Sequence, residues 1–230
     1  MTFTIVGRCR STGHIGICMA TSSPAVGNRC SFVSRDGAVA FQAVAEPRLG
    51  AAALRHVEAR HSPRAAVELI RAADDWPETR QVGIVDCDGR SAAFTGDDNT
   101  LWAGHRTGPG YVAMGNVLAG PQVVEAIEAA FLDGDGAAIE ERLLRAIEAG
   151  RDAGGQEEGQ LSASLITFGP ETFSRCDLRV DLNAEPVGEL RRIYDWYAPL
   201  IPYFLARTAD PKQLRYKDWL AGNGHVREYR

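Results

Sequence analysis

The chain has 230 residues, is 45% hydrophobic and 24% charged, and carries a net charge of −5. That balance excludes a disordered chain and allows one large globular domain or a domain with an appendage. No block of like charge offers a polyanion-binding face, so nucleic acid is not an expected partner.

In chain order, residues 2–44 read as short apolar, β-branched strands: TFTIVGRC, HIGICMATS, CSFVSR and GAVAFQAVA. Gly13, Pro24, Gly27 and the Arg35-Asp36-Gly37 step supply the turns between them. From Pro47 the texture changes. PRLGAAALRHVEARH and PRAAVELIRAADD have helical apolar spacing, with Ser62-Pro63 marking the second start. Strands return in RQVGIVDCDG, RSAAFTG, TLWAGHRTG and YVAMGNVLAG. A second helix pair follows, PQVVEAIEAAFLDG and AAIEERLLRAIEAG, the latter stopped at Gly150. The glycine-rich DAGGQEEGQ is a loop, LSASLITFG and RCDLRVDL are strands, and EPVGELRRIYDWYAPLIPYFLA is helical. Pro199 and Pro202 should end or bend that last helix, whose aromatic stripe suits packing or a subunit interface. We expect residues 1–185 to form the main domain and 186–230 a helical extension and tail.

Consecutive strands imply antiparallel pairing, and helix pairs between strand groups must cover sheet faces. The expected architecture is α+β, two antiparallel sheets packed together with a helical layer outside each.

The five cysteines are scattered and never spaced CxxC, and Asp86, Asp88, Asp97 and Asp98 fall in hairpin-turn sequences. No metal and no cofactor is therefore expected. The glycine-rich GHRTGPGYVAMGN leads into a strand rather than a helix and so fails as a phosphate cradle. Neither a signal peptide nor a membrane-length apolar run is visible, and the expected location is the cytoplasm.

The strand order, with Thr2 opening the first strand, resembles the N-terminal nucleophile (Ntn) hydrolase fold, a four-layer αββα sandwich shared by proteasome subunits. ATSSPAVGNRC, GAVAFQAVAEPRLG, GNVLAGPQVVEAI, LLRAIEAGRDAGG and QLSASLI narrow the resemblance to the bacterial family known as domain of unknown function 1028, DUF1028. It runs from Thr2 to about Arg192. The resemblance implies hydrolysis of an amide C–N bond in a small molecule, with Thr2 as nucleophile once Met1 is removed. Its base would be its own α-amine, which titrates at about 7.7–8.0 against about 10.4 for lysine. Proteasome subunits place a lysine near the nucleophile; this chain has only Lys212 and Lys217.

Around Thr2 the resemblance suggests further site residues, each with a plainer alternative. Asn116 is an oxyanion donor or a turn asparagine. Gln42 faces substrate or is a paired core amide. Ser22 and Ser23 hold the amine or substrate, or initiate the turn at Pro24. Ser162 follows Leu161, where relatives have glutamine. Arg48 binds a substrate carboxylate or sits exposed at a helix start, and Glu46 stands where relatives carry Asn or Asp. A small-molecule substrate and a homo-oligomer complete the expectation, the alternative being an inactive member of the fold that binds a metabolite or serves in an assembly.

Overall fold

A computed structural model describes residues 1–224. Alternation of inward and outward side chains organises everything up to residue 190. In β1 (Thr2–Arg8), Thr2, Thr4 and Val6 point one way, and Phe3, Ile5 and Gly7 the other. Both faces are buried, which is why the strand reads as a nearly continuous apolar run. β1 pairs antiparallel with β2 (Ile15–Thr21) on one side and β8 (Tyr111–Leu118) on the other. β9 (Ser162–Phe168), β10 (Ser174–Val180) and β7 (Trp102–Gly108) extend this into a six-stranded sheet, β10-β9-β2-β1-β8-β7. A second antiparallel sheet has the order β3-β4-β5-β6, from β3 (Ser31–Ser34), β4 (Gly37–Ala43), β5 (Arg80–Asp86) and β6 (Ser91–Thr95).

The sheets meet face to face over Val6, Ile17, Met19, Ala38, Ala40, Val85, Val112 and Met114, all fully buried. α1 (Pro47–Glu58) and α2 (Pro63–Ala72) cover the smaller sheet, burying Val57, Val67 and Ile70 against Val39, Phe41 and Ile84. The Ser62 hydroxyl caps α2 by accepting the Ala65 N–H at 3.2 Å, with Pro63 in the first turn. α3 (Pro121–Asp133) and α4 (Ile139–Asp152) cover the larger sheet. Their fit depends on Gly7: a Cβ there would lie 2.5 Å from the Phe131 ring. The expected arrangement of two antiparallel sheets between helical layers is what the chain adopts.

The described chain divides into two compact units between Leu190 and Arg191, with α5 (Pro186–Tyr197) running through the division. In the second unit a short 3-10 turn at Ala198–Leu200 joins α5 to α6 (Ile201–Ala209). Pro199 and Pro202 lie at early positions of the 3-10 turn and of α6, where their missing N–H groups cost nothing. They mark new starts rather than interrupt one helix. α7 (Tyr216–Gly222) completes a small aromatic core around Leu200, Tyr203 and Leu220. No described helix is long and apolar enough to cross a membrane.

Candidate functional site

Toward one end of the sandwich, the space between the sheets changes from apolar to polar. The strand register explains which residues gather there. Thr2 pairs with Thr21 on β2 and with Asn116 on β8. All three are buried, and Thr2 and Asn116 share the inner face with Thr4. Facing them from the second sheet are Gln42 on β4 and its direct partner across the strand pair, Gln81 on β5. Both glutamines are fully buried, where an unpaired amide would be costly.

They are not unpaired. Gln81 Nε2 faces three oxygens, Gly115 O at 2.8 Å, Thr95 Oγ1 at 2.9 Å and Gly104 O at 3.1 Å, which fixes the orientation of its amide. Its Oε1 then accepts from Gln42 Nε2 at 2.8 Å and Asn116 Nδ2 at 3.0 Å. Gln42 Oε1 accepts from Thr4 Oγ1 at 2.6 Å, and Gln42 Nε2 also reaches Thr2 O at 3.4 Å. This network joins β1, β7 and β8 of one sheet to β4, β5 and β6 of the other. It holds the N-terminal end of β1 in register behind Thr2.

At the front, Thr2 Oγ1 lies 3.1 Å from Thr21 Oγ1, and Thr21 donates its hydroxyl proton to the carbonyl of Met1. Each hydroxyl has one proton. Thr2 is therefore the donor to Thr21 while Met1 is in place. The Met1 amine is pushed below its usual range by burial, opposed by the nearby Cys30 and Glu158. Burial raises the Cys30 thiol to about 11, so it stays protonated and is a poor nucleophile at neutral pH.

The residues named from sequence fall into three groups. Thr2, Asn116 and Gln42 come together, with Gln42 a paired core amide whose bonds reach β1. Ser162 brings the turn after β2 in close: its hydroxyl donates to Ser23 O at 2.7 Å and accepts the Val26 N–H at 3.0 Å. Ser23 Oγ accepts from Arg29 Nη2 at 2.7 Å, and Ser22 is half-buried in the same turn. Glu46 and Arg48 stand apart. Glu46 accepts the Arg48 backbone N–H at 3.0 Å and pairs with its guanidinium at 2.9 Å, which holds the carboxyl down to about 2. Thr21, Gln81, Thr95 and Thr4 are members of the cluster that sequence reasoning did not single out. A glutamine inside the apolar run RQVGIVD, matching Gln42 in FQAVA, is the signal that would have found Gln81.

Among the described residues no group of three or more His, Cys, Asp or Glu is placed to hold a metal.

Four of the five described non-glycine residues with left-handed φ lie toward this end; the fifth, Arg60, follows α1. Ala25 after β2, Ala43 closing β4, Leu101 before β7 and Val117 in β8 all have left-handed φ, between 54° and 70°. A β-branched residue in that region is a true outlier. Val117 is the extra residue of a bulge, since Trp102 pairs with Leu118 while Ala103 pairs with Asn116. Such strain persists only where surrounding structure imposes it, and it concentrates at functional sites. Relieving it is measurable. Ala43→Gly should stabilise the fold by about 0.5–1 kcal/mol in urea unfolding, the left-handed penalty of roughly 1–2 kcal/mol less the flexibility of glycine.

Residues 2–190 match a family described as a family of unknown function, DUF1028. The chain is also similar to the crystal structure of a protein from Silicibacter pomeroyi assigned to that same family. The identity is 31% and the TM-score 0.79, with 85% of this chain and 88% of that chain covered. No curated protein matches.

Proposed function

The chain belongs to the DUF1028 family, and on that premise we propose that it is an N-terminal-threonine hydrolase of the Ntn type, cleaving an amide C–N bond in a small molecule. One observation carries the reading: Thr2 stands at the polar end of the inter-sheet space, its strand held by a buried hydrogen-bond network and its hydroxyl 3.1 Å from Thr21.

Removal of Met1 turns the Thr2 nitrogen from a peptide amide into a primary amine. The same event frees the Thr21 proton, since its acceptor was the Met1 carbonyl. Thr21 then donates to Thr2 Oγ1, and the Thr2 proton is directed to the adjacent amine. Thr2 Oγ1 attacks the substrate carbonyl as the amine takes that proton. Asn116 commits one N–H to Gln81 and keeps the other for the oxyanion. The amine returns the proton to the leaving nitrogen as the C–N bond breaks, and water hydrolyses the resulting ester. Thr21 is a positioning residue in this scheme, and no lysine is required.

Intact-mass spectrometry is the first test. Loss of Met1 is expected on essentially every molecule, and quantitative retention would leave only the inactive-member alternative. A panel of small N-acyl and N-carbamoyl compounds, followed by release of amine, then reads turnover.

A further inference from the structure

Between α4 and β9, residues 153–161 form a strap that crosses the end of β1. At one side the Ala119 N–H donates to Gly155 O at 3.1 Å, beyond the end of β8. At the other the Leu161 N–H donates to Thr21 O at 2.8 Å, at the end of β2. β1 lies between those two strands, so the strap passes over its Met1–Thr2 terminus. Gly154, Gly155 and Gly159 supply the positive φ angles that the path needs.

Gln156 sits between the two anchors and is only 4% exposed. Its backbone carbonyl closes a turn by accepting the Gly159 N–H at 3.0 Å. Its side chain is different: both Oε1 and Nε2 are buried, and neither has a hydrogen-bond partner. Every other amide in the neighbouring cluster is paired. A buried amide with both ends open is costly, and a group kept at such cost is a candidate for ligand binding.

We propose that Gln156 is a substrate-recognition residue that pairs, through Nε2 and Oε1 together, with a carboxamide or ureido group. The proposal rests on reading the Thr2 end as the substrate site. Such a group is planar and offers one acceptor and one donor side by side, the complement of a glutamine amide. A carboxylate would use only Nε2, would leave Oε1 facing a second acceptor, and would meet the negative field of Glu157 and Glu158. An ammonium group would leave Nε2 unpaired. Neutral amides and ureides are therefore the class selected, and free acids are excluded.

The test uses the full chain carrying Thr2→Ala, so that binding is read without turnover, and N-acetylglycinamide, N-carbamoylglycinamide and N-acetylglycine as probes. Saturation-transfer NMR titration should show both amides binding and the acid at least tenfold weaker. Adding Gln156→Met should weaken the amides at least tenfold while the melting temperature holds or rises, because an unpaired buried amide has been removed. Gln156→Leu, which removes both donor and acceptor, should likewise lose the amides and serves if the Met variant misfolds. Equal amide binding with and without Gln156, binding of the acid as tightly as the amides, or no amide binding by the Thr2→Ala chain would each overturn the proposal. Amide binding that depends on Gln156 in a chain whose Thr2 form proves unable to hydrolyse any amide would sink the nucleophile reading and leave this one standing.

Discussion

Gln81→Leu is expected to remove about 3–5 kcal/mol of folding stability, a large share of the 5–15 kcal/mol typical of a domain. The size follows from what the substitution strands rather than from what it deletes. Gln81 is fully buried and serves five neighbours. Leucine fills most of the same volume, so little of the cost is cavity. It leaves N–H groups of Gln42 and Asn116 and the carbonyl of Gly115, all buried, without the lost partner, while the Gly104 carbonyl is only half-buried. Each buried unsatisfied group costs about 1–3 kcal/mol, and the sum falls short of additive because the neighbours relax together. Gln81→Glu should do no better: a carboxylate accepts from Gln42 and Asn116 but repels the carbonyl of Gly115, which now lies 2.8 Å from a donor. Urea unfolding at constant slope measures the loss. A Gln81→Leu protein as stable as its parent would mean that the two sheets do not depend on this network at all. Combining Gln81→Leu with Gln42→Leu should cost less than the two separate losses, since each leucine removes a group the other would have orphaned.

That network also shows where the sequence was readable and where it was not. The layers were legible because period matches element: alternation or continuous β-branched runs in the strands, helical spacing after Pro47 and Pro121, and Ser62-Pro63 at a helix start. Thr2 and Asn116 were legible as neighbours only through family resemblance, because their pairing joins residues 2 and 116 across a register that no local pattern encodes. Gln42 stood out as a polar residue in an apolar strand. Gln81 carries the same signature, but near the start of its strand, beside Arg80, it looks like an exposed polar end. The bulge at Val117 had no signal, since valine is the residue least expected at a left-handed φ; the surrounding sheet overrides its preference. Arg48 reads on sequence as a carboxylate binder or an exposed helix-start residue, and the structure places it at the start of α1, paired with Glu46 two residues before it. The strap was legible as a loop from its glycines, but the isolation of Gln156 depends on which strand ends the loop bridges.

The prediction with the largest effect on chemistry concerns the proposed nucleophile. A β-lactone electrophile is expected to add its own mass to the trimmed protein, by ring opening onto Thr2 Oγ1. Thr2→Ala should abolish that adduct and lower any amide turnover by at least about 10³-fold, whereas Thr2→Ser, which keeps both hydroxyl and amine, should retain it. A chain extended by Gly-Ser ahead of Thr2 separates the two halves of the mechanism. Its Thr2 hydroxyl is intact, but the nitrogen is a peptide amide with no lone pair to take the proton, so it should fail as completely as Thr2→Ala. The pH profile carries the same signature. Only the unprotonated Thr2 amine can take the hydroxyl proton, and a solvated α-amine titrates at about 7.7–8.0. The rate should therefore rise with pH through the amine's titration and then level off. A Gly-Ser-extended protein that labels as fast as the trimmed one would show that Thr2 does not use its own nitrogen, and the proposed reaction would have to be abandoned.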